Sequence, residues 1–102
     1  MIKIPKTDLR VHPLCLGANV FGWSADEQES NAVLDAYESH GGNFIDTANF
    51  YGQMGQSEEW LAPMIAGRRN SLVISTKYSL TTRPGDPNAA GNHRKNMVHS
   101  VE

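Results

Sequence analysis

Three short apolar runs begin near Leu14, Asn43 and Ser71, a repeat of about 30 residues, and this spacing constrains the fold more than any other feature of the chain. The interval holds one strand, one crossover helix and their loops, so the strands are expected to lie parallel with right-handed connections. Leu14-Cys15-Leu16 ends at Gly17, Asn43-Phe44-Ile45-Asp46 follows, and Leu72-Val73-Ile74 ends at Ser75-Thr76-Lys77. The third run is apolar throughout, as expected for a strand covered on both faces. An α/β architecture of about three β-α units is predicted. An open doubly wound sheet and a closed barrel both satisfy it, and periodicity does not separate them.

The intervening segments carry their own signals. Ile2 and Ile4 on one side of Pro5-Lys6-Thr7-Asp8, with Leu9 and Val11 on the other, predict a β-hairpin over residues 1–12. Ser24-Ala25-Asp26-Glu27 fits a capping box that starts a helix, Ala32, Val33, Ala36 and Tyr37 recur at helical spacing, and His40-Gly41-Gly42 supplies the stop. After a polar loop from Thr47 to Gln56, Ser57 offers a capping hydroxyl and Glu58 and Glu59 suit the positive end of a second helix, which Pro63 is expected to kink. A loop from Thr81 to Gly91 precedes a third helix, whose apolar face is expected from Met97, Val98 and Val101 and which still runs at Glu102.

Composition narrows the function classes. A net charge of −2 with 20% charged residues gives no basic excess for nucleic acid or an anionic membrane. No apolar run approaches the roughly 18 residues needed to span a bilayer, and the Lys-containing start has no secretory h-region, so the cytoplasm is the expected compartment. The single Cys15 reads as a small buried strand residue and not as a reactive thiol.

In α/β folds the residues that act on ligands lie at the carboxyl ends of strands, where loops converge. Asp46 and Lys77 each terminate an apolar run, and an acid and a base on adjacent parallel strands, roughly 5 Å apart, can pair. Tyr51 follows in the loop over the same end. Singly, each has an ordinary explanation: Asp46 as a turn former, Lys77 as a solvated strand end, Tyr51 as a half-buried loop anchor. Together they acquire chemistry, because an ammonium beside a phenol favours the phenolate and makes the phenol a better proton donor.

The stretch Gly41-Gly42-Asn43-Phe44-Ile45-Asp46-Thr47-Ala48-Asn49-Phe50-Tyr51-Gly52, then Ser57-Glu58-Glu59, then Val73-Ile74-Ser75-Thr76-Lys77, resembles the aldo-keto reductase signature in residue types and spacing. The hairpin and the loop Leu16-Gly17-Ala18-Asn19-Val20-Phe21-Gly22-Trp23 are similar to that family as well, so the resemblance covers essentially the whole chain. It implies a (β/α)8 TIM barrel and an NADP-dependent oxidoreductase that reduces small-molecule aldehydes and ketones by hydride transfer, with NADPH as cofactor and NADH possible. It also implies a catalytic tetrad, of which three members are placed here: Tyr51 as proton donor, Lys77 as the charge beside it, and Asp46 as the partner of Lys77. Asn19, Val20 and Asp46 are implied to touch the nicotinamide and its ribose, although Ala18-Asn19-Val20 departs from the commoner Gly-Thr pattern.

The family's fourth member, a His at the end of a fourth strand, has no counterpart among His12, His40, His93 and His99, of which His93 and His99 read as cap or surface residues. The phosphate-binding loops that follow strands seven and eight of such barrels are absent as well. No G-x-G-x-x-G, P-loop or metal-ligand constellation takes their place. Residues 1–102 therefore read as a partial oxidoreductase domain, the N-terminal part of a barrel that stops after the start of its third helix. The competing reading is a small non-catalytic α/β binding or interaction module derived from the same family. Trp23 and Trp60 are expected as core or interface anchors, with Trp23 a candidate for the substrate pocket, and Arg68-Arg69 as a helix cap.

Overall fold

The computed structural model describes residues 1–101. Two strands, β1 (Ile2–Lys3) and β2 (Arg10–Val11), form an antiparallel hairpin with Ile2 opposite Val11. Three more, β3 (Leu16–Gly17), β4 (Phe44–Asp46) and β5 (Val73–Ser75), form a parallel sheet in sequence order. Helices α1 (Glu27–Ser39) and α2 (Tyr51–Met64) make the crossovers, a 3-10 turn (Arg69–Ser71) leads into β5, and α3 (Arg94–Val101) follows a long loop. This mixed α/β order with a parallel sheet is the one the strand spacing predicts, and the sheet is not closed among the described residues.

Register sorts the strand residues into two faces. Leu16 pairs with Ile45, which pairs with Ile74, and this row lies under the helices. Ile45 is fully buried among Ala18, Phe21, Leu34 of α1, Leu61 of α2 and Leu72, a contact that contributes roughly 1.5–3 kcal/mol for a side chain of this size. The alternate row, Gly17, Asp46 and Ser75, faces the opposite way, with Phe44 and Val73 half-buried one step toward the other end.

Several local expectations shift. The first strand is Leu16–Gly17, so Cys15 lies just before it, half-buried, its thiol pushed up by burial and by the Asp46 charge against a smaller pull from Lys77. The capping box forms two residues later than expected: Asp26 accepts from the Glu29 N–H at 2.8 Å while the Glu29 carboxylate accepts from the Asp26 N–H. An Asp caps as well as a Ser, and starting at Glu27 turns Leu34 into the core. Ser30 and Leu34 are thereby buried, whereas Ala32, Val33 and Ala36 face solvent. The stop is the expected one, with His40 as C-cap, Gly41 at φ +86° and the Gly42 N–H donating back to the Tyr37 carbonyl at 3.0 Å.

In α2 the break falls at its start and not at Pro63. Gly52, Gln53, Met54 and Gly55 all have positive φ, and right-handed helix runs from Gln56. Pro63 sits in the last turn, where the helix is already ending, and the Arg68 side chain donates to the Met64 carbonyl at 2.8 Å. The same guanidinium reaches Asp35 at 2.9 Å and also pairs with Glu38, tying the end of α2 to α1.

The expected apolar face of α3 is turned outward, with Met97 and Val98 exposed and Val101 81% exposed. Asn96 is the buried residue, and its amide donates to the Tyr78 and Gly91 carbonyls. His93 accepts from the Asn96 N–H through Nδ1, a cap for this helix. The expectation that α3 continues at Glu102 lies outside the described residues.

The hairpin is fixed to the sheet by Asn43, the residue just before β4. Its side-chain Oδ1 accepts from the His12 N–H at 2.8 Å and its Nδ2 donates to the Arg10 carbonyl at 3.0 Å. Tyr37 adds a second tie across the same end, its hydroxyl 2.6 Å from the Leu14 carbonyl and accepting from the Phe44 N–H at 3.2 Å.

Candidate active site

At the carboxyl end of the sheet the backbone continues the strand ladder outward. The Ala18 N–H donates to the Asp46 carbonyl, the Thr47 N–H to Ser75 and the Asn49 N–H to Lys77, at 2.8–3.0 Å. These bonds place Asp46 on β4 beside Ser75 on β5, with Lys77 two residues further along and on the same face. Lys77 thus lies past the strand end that the sequence assigns to it, and Ser75 takes the ladder position opposite Asp46.

Lys77 Nζ donates to Asp46 Oδ1 at 2.7 Å, to Oδ2 at 2.8 Å and to the Thr47 carbonyl at 3.1 Å. Ser75 Oγ donates to Asp46 Oδ1 at 2.9 Å. The bond from Lys77 holds the Asp46 carboxyl below its ordinary range despite partial burial, and the Ser75 hydroxyl works in the same direction. Conversely, the Asp46 carboxylate keeps the Lys77 ammonium above its usual value, against a small desolvation effect, and the Tyr51 phenol adds to that hold. The ammonium stands 5.1 Å from the centre of the Tyr51 ring, which is itself braced edge-on by Phe50 at 5.0 Å between centroids. Asp46, Lys77 and Tyr51 are therefore brought together as the sequence predicts.

Asn19 and Val20 lie in the loop after β3, next to the Ala18–Asp46 backbone bond, with Asn19 exposed and Val20 packed against the core. Trp23 further along this loop is 74% exposed and so is not a core anchor, whereas Trp60 packs on the core.

Ser57 holds a position that sequence reasoning missed. It is fully buried inside α2 and caps nothing; its hydroxyl donates to the Ala18 carbonyl at 2.8 Å and lies 2.8 Å from the buried Thr47 hydroxyl. Glu58 lies in the first turn of the right-handed helix, as expected, and also accepts from the Thr76 hydroxyl at 2.6 Å. The left-handed turn before them is required by close packing. A Cβ on Gly52 would collide with the Phe21 carbonyl oxygen, and φ +70° suits glycine in any case. Two glycines bracketing Gln53-Met54 are the signal in the sequence that marks this turn. No cluster of His, Cys, Asp and Glu able to hold a metal occurs among the described residues, and no described helix is long and apolar enough to cross a membrane.

Comparison with known proteins assigns the geometry to a family. The aldo/keto reductase family model matches residues 13–102, and the chain belongs to that family. The norsolorinic acid reductase of Emericella nidulans is 42% identical over 96% of this chain, and an aryl-alcohol dehydrogenase of Pestalotiopsis microspora is 40% identical over 95%. An aldo-keto reductase from Bacillus halodurans, solved in its holo form, superposes with a TM-score of 0.73 at 28% identity over 84% of this chain. The chain spans 28–29% of the length of these three proteins.

Proposed function

We propose that these residues are the N-terminal part of a nicotinamide-dependent carbonyl reductase, a partial barrel domain whose remaining β-α units supply a catalytic His and the phosphate-binding loops. The observation that carries the reading is the bidentate Lys77–Asp46 pair standing beside the Tyr51 ring at the carboxyl end of a parallel sheet. Tyr51 gives its proton to the carbonyl oxygen of an aldehyde or ketone as that oxygen gains negative charge. Lys77 keeps a positive charge facing the phenol, and Asp46 holds that ammonium in place.

NAD(P)H fits the residues present. Asp46 Oδ1 already accepts from Lys77 and Ser75, whereas Oδ2 accepts from Lys77 alone and keeps a lone pair for a ribose hydroxyl. Asn19 and Val20, on the adjacent loop, would lie along the nicotinamide. When bound, the cofactor supplies the two-electron reductant. NADPH is the first choice and NADH the second, and the cytoplasm is the proposed compartment. The names of the similar proteins, a norsolorinic acid reductase and an aryl-alcohol dehydrogenase, make aromatic carbonyl compounds the first substrates to test.

The test is cofactor oxidation by the complete barrel with aromatic and aliphatic aldehydes and ketones, followed at the nicotinamide absorbance. Turnover that Tyr51→Phe abolishes supports the reading. A complete protein that neither binds nor oxidises NADPH or NADH overturns it in favour of a non-catalytic module.

A further inference from the structure

We infer that Ser57 is a positioning residue that fixes the loop after β3 relative to the Asp46–Lys77 pair, so that the cofactor-contacting loop and the residue whose carbonyl holds Lys77 are tied by one buried hydroxyl. The inference rests on the functional reading above. Ser57 is 0% exposed and Thr47 2%, so both hydroxyls are shut off from solvent. The Ser57 proton points to the Ala18 carbonyl, and the 2.8 Å approach of the Thr47 hydroxyl then makes Thr47 the donor to Ser57.

Ala18 is thereby held on both sides, its N–H by the Asp46 carbonyl and its own carbonyl by Ser57. The next two residues are Asn19 and Val20, assigned to the nicotinamide. Thr47 in turn offers its carbonyl to Lys77 Nζ at 3.1 Å and its N–H to the Ser75 carbonyl. One hydroxyl therefore joins the loops after β3 and β4 directly, and the third through the Thr47 backbone; its removal leaves the Ala18 carbonyl with the Phe21 N–H alone, at 3.1 Å, and takes the buried partner from the Thr47 hydroxyl.

The closing experiment compares Ser57→Ala with Thr47→Val in the complete protein, reading amide hydrogen exchange without cofactor and NADPH affinity by fluorescence titration. Ser57→Ala is expected to speed exchange at residues 18–20 and weaken NADPH binding by about 10-fold each, the effect of losing one buried hydrogen bond. Thr47→Val keeps the Ser57–Ala18 bond while cutting the link from Ser57 to Thr47, and is expected to speed exchange at residues 18–20 by no more than about 3-fold. Exchange in α1 at Leu34 serves as the reference for global opening. If Ser57→Ala leaves residues 18–20 unchanged, or raises exchange at Leu34 equally, the inference is wrong and Ser57 only fills space. Should Ser57→Ala fail to fold, Ser57→Cys keeps the volume with a weak donor, and normal exchange at residues 18–20 in that variant also overturns the inference. A wild-type protein that binds no nicotinamide cofactor overturns the functional reading instead, and the exchange measurement still decides the role of Ser57 in holding the loop.

Discussion

Lys77 donates to both carboxylate oxygens of Asp46, at 2.7 and 2.8 Å, so a single ammonium closes a fork between neighbouring parallel strands. Two bonds fix the direction of the ammonium as well as its distance, and the third bond, to the Thr47 carbonyl, removes its remaining freedom. A charge held this way has a fixed place over the Tyr51 ring, 5.1 Å from its centre. The arrangement matters for stability and for chemistry, and the two can be measured separately.

The first prediction concerns pH. Asp46 has its carboxyl lowered from 3.8 by Lys77, so its contribution is present above that value and is lost as pH falls through the lower folded value. Lys77 is raised from 10.5 by Asp46, so its contribution is present below that value and is lost as pH rises through the higher folded one. Both side chains are a third or more exposed, which keeps the total to about 1 kcal/mol or less. Thermal midpoints of wild type and Asp46→Asn are expected to differ by a constant amount across roughly pH 5–9 and to converge at both extremes. A gap that persists unchanged down to pH 2, on the order of two units below the free carboxylate value, would show that the pair is not its source.

In the complete protein, the proposed function has Tyr51→Phe lower kcat by roughly 100-fold or more while leaving NADPH affinity near normal, because only the proton transfer is removed. Lys77→Met acts in the same direction by taking away the charge that faces the phenol. Asp46→Asn is expected to affect both quantities, since it frees the ammonium and alters the group offered to the ribose. Near-normal turnover in Tyr51→Phe would mean that another group is the acid.

The 102 residues expressed alone are expected to show no cofactor oxidation and to self-associate. Both outer edges of the β3-β4-β5 sheet lack a strand partner among the described residues, and Phe44, Val73 and the outer face of α3 leave apolar surface open. Sedimentation velocity checks this. A monomer with a sharp cooperative thermal transition would contradict it.

Gly52→Ala is expected to destabilise the protein by more than about 1 kcal/mol, because alanine is unsuited to φ +70° and its Cβ would meet the Phe21 carbonyl. Gly67→Ala is the control, since φ is +82° there and nothing lies near its Cβ, so only the backbone cost remains. Urea denaturation of the two variants separates strain from collision. Equal losses would remove the collision from the account.

What the sequence reveals and conceals follows a physical rule. Asp46, Lys77 and Tyr51 are legible because a polar residue closing an apolar run stands out at a strand end, and strand ends are where the loops of an α/β fold meet. The spacing that gives the three β-α units is legible for the same reason. Helix phase is harder, since Ser24 and Asp26 both make good caps, and the choice between them rotates α1 enough to exchange Val33 for Leu34 in the core. Ser57 is concealed most completely. A serine before two glutamates resembles a cap, and Ser57 does lie in the first turn of the right-handed helix that runs from Gln56, but its hydroxyl is turned to the Ala18 carbonyl under the loop after β3.

The Asn43 clamp has a kinetic consequence. Its bonds reach back 31 and 33 residues, to His12 and Arg10, across a segment that contains both β3 and α1. The hairpin lacks its two Asn43 bonds until Asn43 is held at the head of β4, and bringing β3 alongside β4 delivers the hairpin to them as the intervening loop closes. Docking of the first residues of the chain should thus be a late event during refolding, following the formation of sheet from residues synthesised after them. A probe on the hairpin would then report a slower phase than one on α1, and Asn43→Ala would erase that phase while leaving the faster one in place.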